Sequence, residues 1–246
     1  MGKDRTGKNL TETGAKIPVT QRSSADEVAA FVAKARALKP LAGTGERGRL
    51  IFALDATMSR QPTWDAACQL QAEMFKETAA IGGLDVQLVY FRGFGECRAS
   101  KWVGDPSDLA NLMTRIDCRG GHTQICKVLK HARKEAAKKK VHALVYVGDC
   151  MEENIDDLAA LAGELGLLHV PVFLFQEGRE PIAQRAFKEI ARLTRGAWCP
   201  FDLGAAHQLR ELLSAVAMYA AGGRAALEDF SRHSASGRLL LQQMSK

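Results

Sequence analysis

Residues 49–59 of this chain read RLIFALDATMS, and they decide its fold. The apolar run 50–54 ends in Asp55, and Thr57 and Ser59 follow at the second and fourth positions after it. An apolar run without alternation is typical of a strand that helices cover on both faces. A carboxylate and two hydroxyls on one short loop are hard oxygen ligands of the kind that Mg²⁺ binds. The stretch therefore predicts a central strand of an α/β sheet with a cation site at its carboxyl end.

Strand-like and helix-like segments alternate along the rest of the chain. The predicted strands are 50–54, 85–91, 142–147, 170–175 and 197–201, with a short antiparallel edge strand at 96–101. The predicted helices are 63–80, 105–114, 123–139, 154–165, 181–194 and 205–221. This order predicts an α/β fold with a doubly wound, mostly parallel sheet and helices on both faces, a Rossmann-like three-layer arrangement.

Length and composition favour one large domain with short additions at both ends. Residues 1–47 are predicted to be a flexible arm followed by a helix at about 25–38. Residues 48–220 form the predicted α/β domain, and residues 221–246 a C-terminal helical tail.

The composition is that of an ordinary soluble protein. Hydrophobic residues make up 46% of the 246 residues and charged residues 25%, with a net charge of +6. No apolar run approaches the ~18–20 residues of a membrane span, and the N-terminus has no apolar core typical of a secretion signal. The six cysteines form no Cys-x-x-Cys pair, so we expect reduced thiols in a cytoplasmic protein.

Two further loops carry polar groups at the same predicted edge of the sheet as Asp55. One, 119–123, reads RGGHT and precedes a long helix; the other, 148–150, reads GDC and follows a strand. They bring Thr123 and Asp149 into the candidate site, and the glycines allow the backbone to approach a bound ion. Taken singly, these residues are also typical of helix caps or of the acidic first turn of a helix.

The pattern Asp-x-Thr-x-Ser, a later Gly-Gly-x-Thr and a later strand ending in Gly-Asp resembles the metal-ion-dependent adhesion site of von Willebrand factor type A domains. The resemblance covers roughly residues 48–220 and implies that Thr57, Ser59 and Thr123 ligate Mg²⁺ or Mn²⁺ directly. It implies that Asp55 and Asp149 act largely through bound waters. Thr57 departs from the serine that is usual there, but it keeps the hydroxyl.

The resemblance also implies a function. In this family the last coordination position is filled by a carboxylate of a partner protein, and intracellular members work in multiprotein assemblies. We therefore expect a Mg²⁺-dependent protein-binding module. The sequence offers no nucleophile and base in a defined cleft, so it is not assigned as an enzyme.

A second family offers an alternative. Asp55, Thr57, Thr123 and the acidic loop 148–153 loosely resemble haloacid-dehalogenase-type phosphatases, in which a strand-end Asp is the nucleophile and Mg²⁺ is bound nearby. Against this, Thr57 stands where such phosphatases usually carry an acid/base Asp, and Ser59 has no role in that scheme.

Two other features have weaker functional interpretations. The predicted helix 123–139 and the residues after it are strongly basic, which is compatible with nucleic acid, but no aromatic residues interleave the charges and a solvated helix face is favoured. Cys118, Cys126 and Cys150 fall near the predicted site and, with His122, could suggest zinc, but their spacing fits no familiar zinc motif, and a solvated loop histidine is favoured for His122.

Overall fold

A six-stranded sheet forms the centre of the part of the chain that the computed structural model describes, residues 47–60, 84–201 and 206–244. The strand order is β3-β2-β1-β4-β5-β6; β3 is antiparallel to β2, and the other neighbours are parallel. The strands are β1 Gly48–Asp55, β2 Leu84–Arg92, β3 Glu96–Val103, β4 Ala143–Gly148, β5 Val172–Glu177 and β6 Ala197–Phe201. The predicted mostly parallel sheet, with its antiparallel edge strand, is confirmed.

Helices cover both faces of this sheet. They are α1 Pro106–Met113, α2 Ile125–Lys138, α3 Ile155–Leu167, α4 Pro181–Thr194, α5 Ala206–Ser231 and α6 Ala235–Met244, with a 3₁₀ turn at Met58–Arg60. The helices predicted at 25–38 and 63–80 lie outside the described residues. None of the helices in the described ranges combines the length and hydrophobicity that a bilayer crossing requires.

The apolar run of β1 is explained by two separate cores. Leu50, Phe52 and Leu54 face a core shared with α1, α5 and α6, whereas Ile51 and Ala53 face a core shared with α2, α3 and α4. Successive side chains of a strand point to opposite faces, so a strand covered on both sides must be apolar at every position. The three-layer α/β prediction is therefore confirmed.

Local signals explain where several helices begin. The Asp105 carboxylate accepts a hydrogen bond from the Ser107 amide (2.7 Å), and Pro106 follows at the first helical position of α1. The Asn154 side chain accepts a bond from the Asp156 amide (2.8 Å) at the start of α3. Both starts agree with the sequence prediction to within a residue.

The C-terminal segment packs against the sheet. Helix α5 continues past residue 221, with a kink at Gly223, where φ is 68°. Leu227 of α5 and Leu240 of α6 are fully buried in the same core as β1. The predicted division at 220/221 stays a prediction, and the arm predicted at 1–47 lies almost wholly outside the described residues.

Candidate metal centre

The candidate site lies where β1 and β4 end side by side. The two strands are parallel neighbours, with Leu54 paired to Val147, so the loops that follow them leave the sheet at the same edge. Asp55 is the last residue of β1, and Asp149 comes directly after β4. The adjacency of these strands brings together two residues that are 94 positions apart (149 − 55) in the sequence.

The loop after β1 is built around Asp55. Its side chain is fully buried, and its Oδ1 accepts a hydrogen bond from the Thr57 amide (2.8 Å), which turns the chain sharply. The hydroxyls of Thr57 and Ser59 lie 3.1 Å apart and form a hydrogen bond with each other. Neighbouring ligands of an octahedral Mg²⁺ with bonds of roughly 2.1 Å are separated by about 3.0 Å. The two hydroxyls therefore have the spacing of one edge of such an octahedron.

The second loop, residues 119–124, packs on the first and on the turn between β2 and β3. The Arg119 amide donates to the Ala56 carbonyl (3.1 Å), and the His122 amide donates to the Gly93 carbonyl (3.3 Å). A β-carbon at Gly121 would lie 2.0 Å from the Gly93 carbonyl oxygen, so only glycine permits this approach.

Ion pairs hold the segment just before this loop. Arg92, at the end of β2, donates to the Asp117 carboxylate, and Arg119 donates to the same carboxylate (3.1 Å). Hydrogen bonds from Arg119 and from Arg92 lower the pKa of Asp117. The carboxylate is therefore held in its charged form beside the second loop.

Two glutamates tie the loop after β4 to the start of α2. Glu152 accepts a hydrogen bond from the Thr123 amide (3.0 Å), and its own amide donates to the Thr123 hydroxyl (3.0 Å). Glu153 accepts from the amides of Ile125 and, at 2.9 Å, Cys126. Thr123 is buried in the loop ahead of α2, and Glu153 caps the N-terminus of α2.

Asp55, Asp149 and Cys150 form one potential ligand group. One carboxylate oxygen of each aspartate and the Cys150 sulfur all lie within 4.8 Å of one another. Asp149 Oδ1 is buried and has no hydrogen-bond partner among the described residues. Two carboxylates with a buried oxygen that lacks a donor suit a divalent cation.

A buried tyrosine lies beneath these ligands. The Tyr146 side chain is 1% exposed, and its hydroxyl has no hydrogen-bond partner among the described residues. A β-carbon at Gly148 would lie 2.5 Å from that hydroxyl oxygen, so the hydroxyl reaches the end of β4. Burial, and then the negative charge of Asp55 and of the residues after Gly148, raise the pKa of Tyr146. The tyrosine is therefore a neutral donor at the base of the site.

The rim of the site carries exposed side chains. His122 Nδ1 lies 3.4 Å from a Glu152 carboxylate oxygen, and the His122 ring meets Phe94 edge-on with centroids 5.2 Å apart. Phe94 is 82% exposed. His122 is thus an exposed loop residue.

Of the five ligands predicted from the sequence, the geometry groups two pairs. Asp55 lies close to Asp149, and Thr57 lies beside Ser59 on the same loop. Thr123 is held in the adjoining loop through Glu152. The sequence interpretation placed Cys150 near the predicted site but did not assign it as a ligand, and it missed the role of Tyr146. The position of Cys150 directly after Asp149 was the one available signal.

Comparison with solved structures establishes the fold. The chain is similar to human COPII-coat protein Sec24c, with 12% identity and a TM-score of 0.54; the match covers 69% of this chain and 32% of that one. It is similar to the SpRpn10 VWA domain, also with 12% identity and a TM-score of 0.54; that match covers 66% of this chain and 95% of that one. It is also similar to an aerotolerance-related membrane protein from Bacteroides fragilis, with 16% identity and a TM-score of 0.50; the match covers 66% of this chain and 98% of that one.

The chain therefore has a von Willebrand factor type A-like fold, as the sequence resemblance implied. The match spans about a third of the Sec24c chain but nearly all of the SpRpn10 domain. No protein-family profile matches the sequence, and no curated protein matches it either.

Proposed function

We propose that this chain is a protein-binding module that depends on a divalent cation, Mg²⁺ or Mn²⁺, at the carboxyl edge of its sheet. The proposal rests on the positions of Asp55 and Asp149 at the ends of adjacent parallel strands, where one carboxylate oxygen of each lies within 4.8 Å of the other. When both are ionised, two carboxylates at that distance repel each other by roughly 3 kcal/mol at an effective dielectric constant near 20. A cation between them relieves this repulsion.

The five proposed ligands fall into two groups. The hydroxyls of Thr57, Ser59 and Thr123 would bind the ion directly, and Asp55 and Asp149 would bind it largely through water. The 3.1 Å spacing of the Thr57 and Ser59 hydroxyls supports this, because it is close to an octahedral edge of about 3.0 Å, so one ion could bind both oxygens. The ion would place positive charge beside the exposed Ser59, and a carboxylate of a partner protein would complete its coordination.

The neighbouring proteins are compatible with a binding role. One is a COPII-coat protein and another is a VWA domain, and interaction with other proteins is the function this fold suggests. We infer a cytoplasmic location within a multiprotein assembly, as the family resemblance and the COPII-coat and VWA-domain neighbours suggest.

The phosphatase alternative has less support. Asp55 is fully buried and its Oδ1 is engaged by the Thr57 amide, whereas a nucleophile must reach its substrate. We expect no Mg²⁺-dependent hydrolysis of p-nitrophenyl phosphate. Turnover that Asp55→Asn abolishes would establish the phosphatase instead.

Nucleic acid is also not favoured as a partner. Several cations of the basic helix α2 are engaged within the chain. Arg133 pairs with Glu164, Lys138 pairs with Glu135 (2.6 Å), and the Lys127 ammonium donates to the Gly95 carbonyl (2.8 Å).

Water-proton relaxation of bound Mn²⁺ tests the proposed mode of recognition. Mn²⁺ bound to the chain should enhance relaxation through its exchangeable waters. Acetate, the smallest carboxylate, should reduce the enhancement by displacing one of them. Acetamide has the same shape without the charge and serves as the control. No enhancement, or equal effects of acetate and acetamide, would contradict the proposal.

A further inference from the structure

We infer that Cys150 adds a sulfur ligand to this site, so that Asp55, Asp149 and Cys150 together bind Zn²⁺ in preference to Mg²⁺. The inference rests on the proposed function in one respect only, namely that this edge of the sheet binds a cation. It departs from the oxygen-only ligand set that the sequence pattern predicts.

The geometry supports a three-residue site. The three potential ligand atoms lie within 4.8 Å of one another. In a tetrahedral zinc site with bonds of about 2.0 Å to oxygen and about 2.3 Å to sulfur, ligand atoms are roughly 3.3–3.5 Å apart. Asp149 and Cys150 are half-buried on a loop, so side-chain rotation can close the remaining gap while Asp55 stays fixed by the Thr57 amide.

A second observation, independent of the triad, points to a ligand at this place. Tyr146 is buried, its hydroxyl has no hydrogen-bond partner among the described residues, and that hydroxyl reaches Gly148, next to Asp149. Asp149 Oδ1 is likewise buried without a donor. A cation that takes this oxygen, with a water that accepts from the tyrosine, satisfies both atoms. Such hydrogen bonds from neighbouring side chains orient the ligands of a metal.

The sulfur decides which cation is preferred. Zn²⁺ binds thiolate, imidazole and carboxylate ligands, whereas Mg²⁺ takes oxygen ligands. When it binds the ion, the Cys150 thiol releases its proton to solvent. An oxygen-only site also ranks Zn²⁺ above Mn²⁺, so affinity for Zn²⁺ alone does not identify the sulfur. The decisive quantity is how much of the zinc preference depends on Cys150.

The chain contains a matched control thiol. Cys126 is half-buried like Cys150 and lies at the start of α2, where its amide is bonded to Glu153, but it is outside the ligand triad. Cys126→Ser therefore removes a comparable sulfur without changing the proposed ligands.

Cobalt spectroscopy and zinc titration test the inference. With Co²⁺ as a probe, the wild type and Cys126→Ser should show a sulfur-to-cobalt charge-transfer band, and Cys150→Ser should lack it. Cys150→Ser should also lower Zn²⁺ affinity at least tenfold, since loss of even a supporting residue commonly costs 10–100-fold. Its Mg²⁺ affinity should stay within a few-fold of wild type, because the oxygen ligands remain.

A labelling experiment on the unmutated chain covers the case in which the variant misfolds. Zn²⁺ should protect Cys150, but not Cys126, from alkylation by iodoacetamide, as read by peptide mapping.

A band that persists in Cys150→Ser, or alkylation of Cys150 that Zn²⁺ does not slow, would overturn the sulfur ligand. Mg²⁺ binding that Asp55→Asn abolishes would then still support the proposed function. If none of these cations binds to the chain, both the sulfur ligand and the proposed function are refuted.

Discussion

Replacing Glu153 with Ala should destabilise the fold by about 2 kcal/mol, because this side chain caps α2 from a distant loop. Its carboxylate accepts from the amides of Ile125 and Cys126. Ile125 is 1% exposed, so its amide would lose its acceptor in a buried place, which costs about 1–3 kcal/mol. The Cys126 amide is nearer to solvent and can recover part of its loss from water. Removal of a negative charge from the helix N-terminus adds about 0.3–1 kcal/mol.

Two variants bracket this prediction. Glu153→Gln keeps one carbonyl oxygen and should lose roughly half as much as Glu153→Ala, about 1 kcal/mol. Asp157→Ala removes an exposed acid in the first turn of α3 and should cost no more than about 0.5 kcal/mol.

Urea unfolding, monitored by circular dichroism, measures these differences in the free energy of unfolding. EDTA is present so that no bound cation contributes. About 2 kcal/mol corresponds to a fall in melting temperature of roughly 4–8 °C for a domain of this size. A loss below about 0.5 kcal/mol for Glu153→Ala would refute the capping role.

Three more predictions concern the loops around the site. Thr57→Ser should keep Mg²⁺ affinity within a few-fold of wild type, whereas Thr57→Val, which removes the hydroxyl, should weaken that affinity by about tenfold or more (~1.4 kcal/mol). If calorimetry finds that Thr57→Val binds Mg²⁺ as tightly as wild type, Thr57 is not a ligand. Gly121→Ala places a methyl 2.0 Å from a backbone carbonyl and should cost about 2 kcal/mol or more in denaturant unfolding, whereas Gly120→Ala, which meets nothing within 4 Å, should be tolerated. Asp117 has a lowered pKa in the folded chain, so its contribution to stability is present above its ordinary pKa and is lost as pH falls through the lowered one. Arg92→Met removes one of its cationic partners and should make the free energy of unfolding fall less steeply with acidification below pH about 4; an unchanged slope would contradict this.

The architecture could be predicted because its signals are local in the sequence. The apolar run of β1 meets a core on each face, and Asp105 and Asn154 begin their helices where the sequence places caps. The order of strands and helices then limits the sheet to a few topologies. The helix predicted at 63–80 lies outside the described residues and stays a prediction.

The details of the site depend on contacts between distant segments, which no local pattern encodes. The sequence around Glu152 and Glu153 contains no local signal that either side chain pairs with a distant segment. In the structure Glu152 bonds Thr123, 29 residues away in the sequence, and Glu153 caps α2 through the amide of Ile125, 28 residues away. The sequence places Cys150 near the site, directly after Asp149, but motif spacing gave no reason to assign its sulfur as a ligand. The grouping of that sulfur with both aspartates depends on β1 and β4 lying side by side.

Calorimetric titration with Mg²⁺ and Mn²⁺ tests the central claim most directly. Asp55→Asn keeps the size of the side chain and an oxygen that can accept from the Thr57 amide, but removes the charge. Asp108→Asn removes an exposed charge in α1 and serves as the control. We expect wild type and Asp108→Asn to bind alike, and Asp55→Asn to bind at least about tenfold more weakly with an unchanged circular dichroism spectrum. Equal affinities in all three chains would contradict a cation site at Asp55.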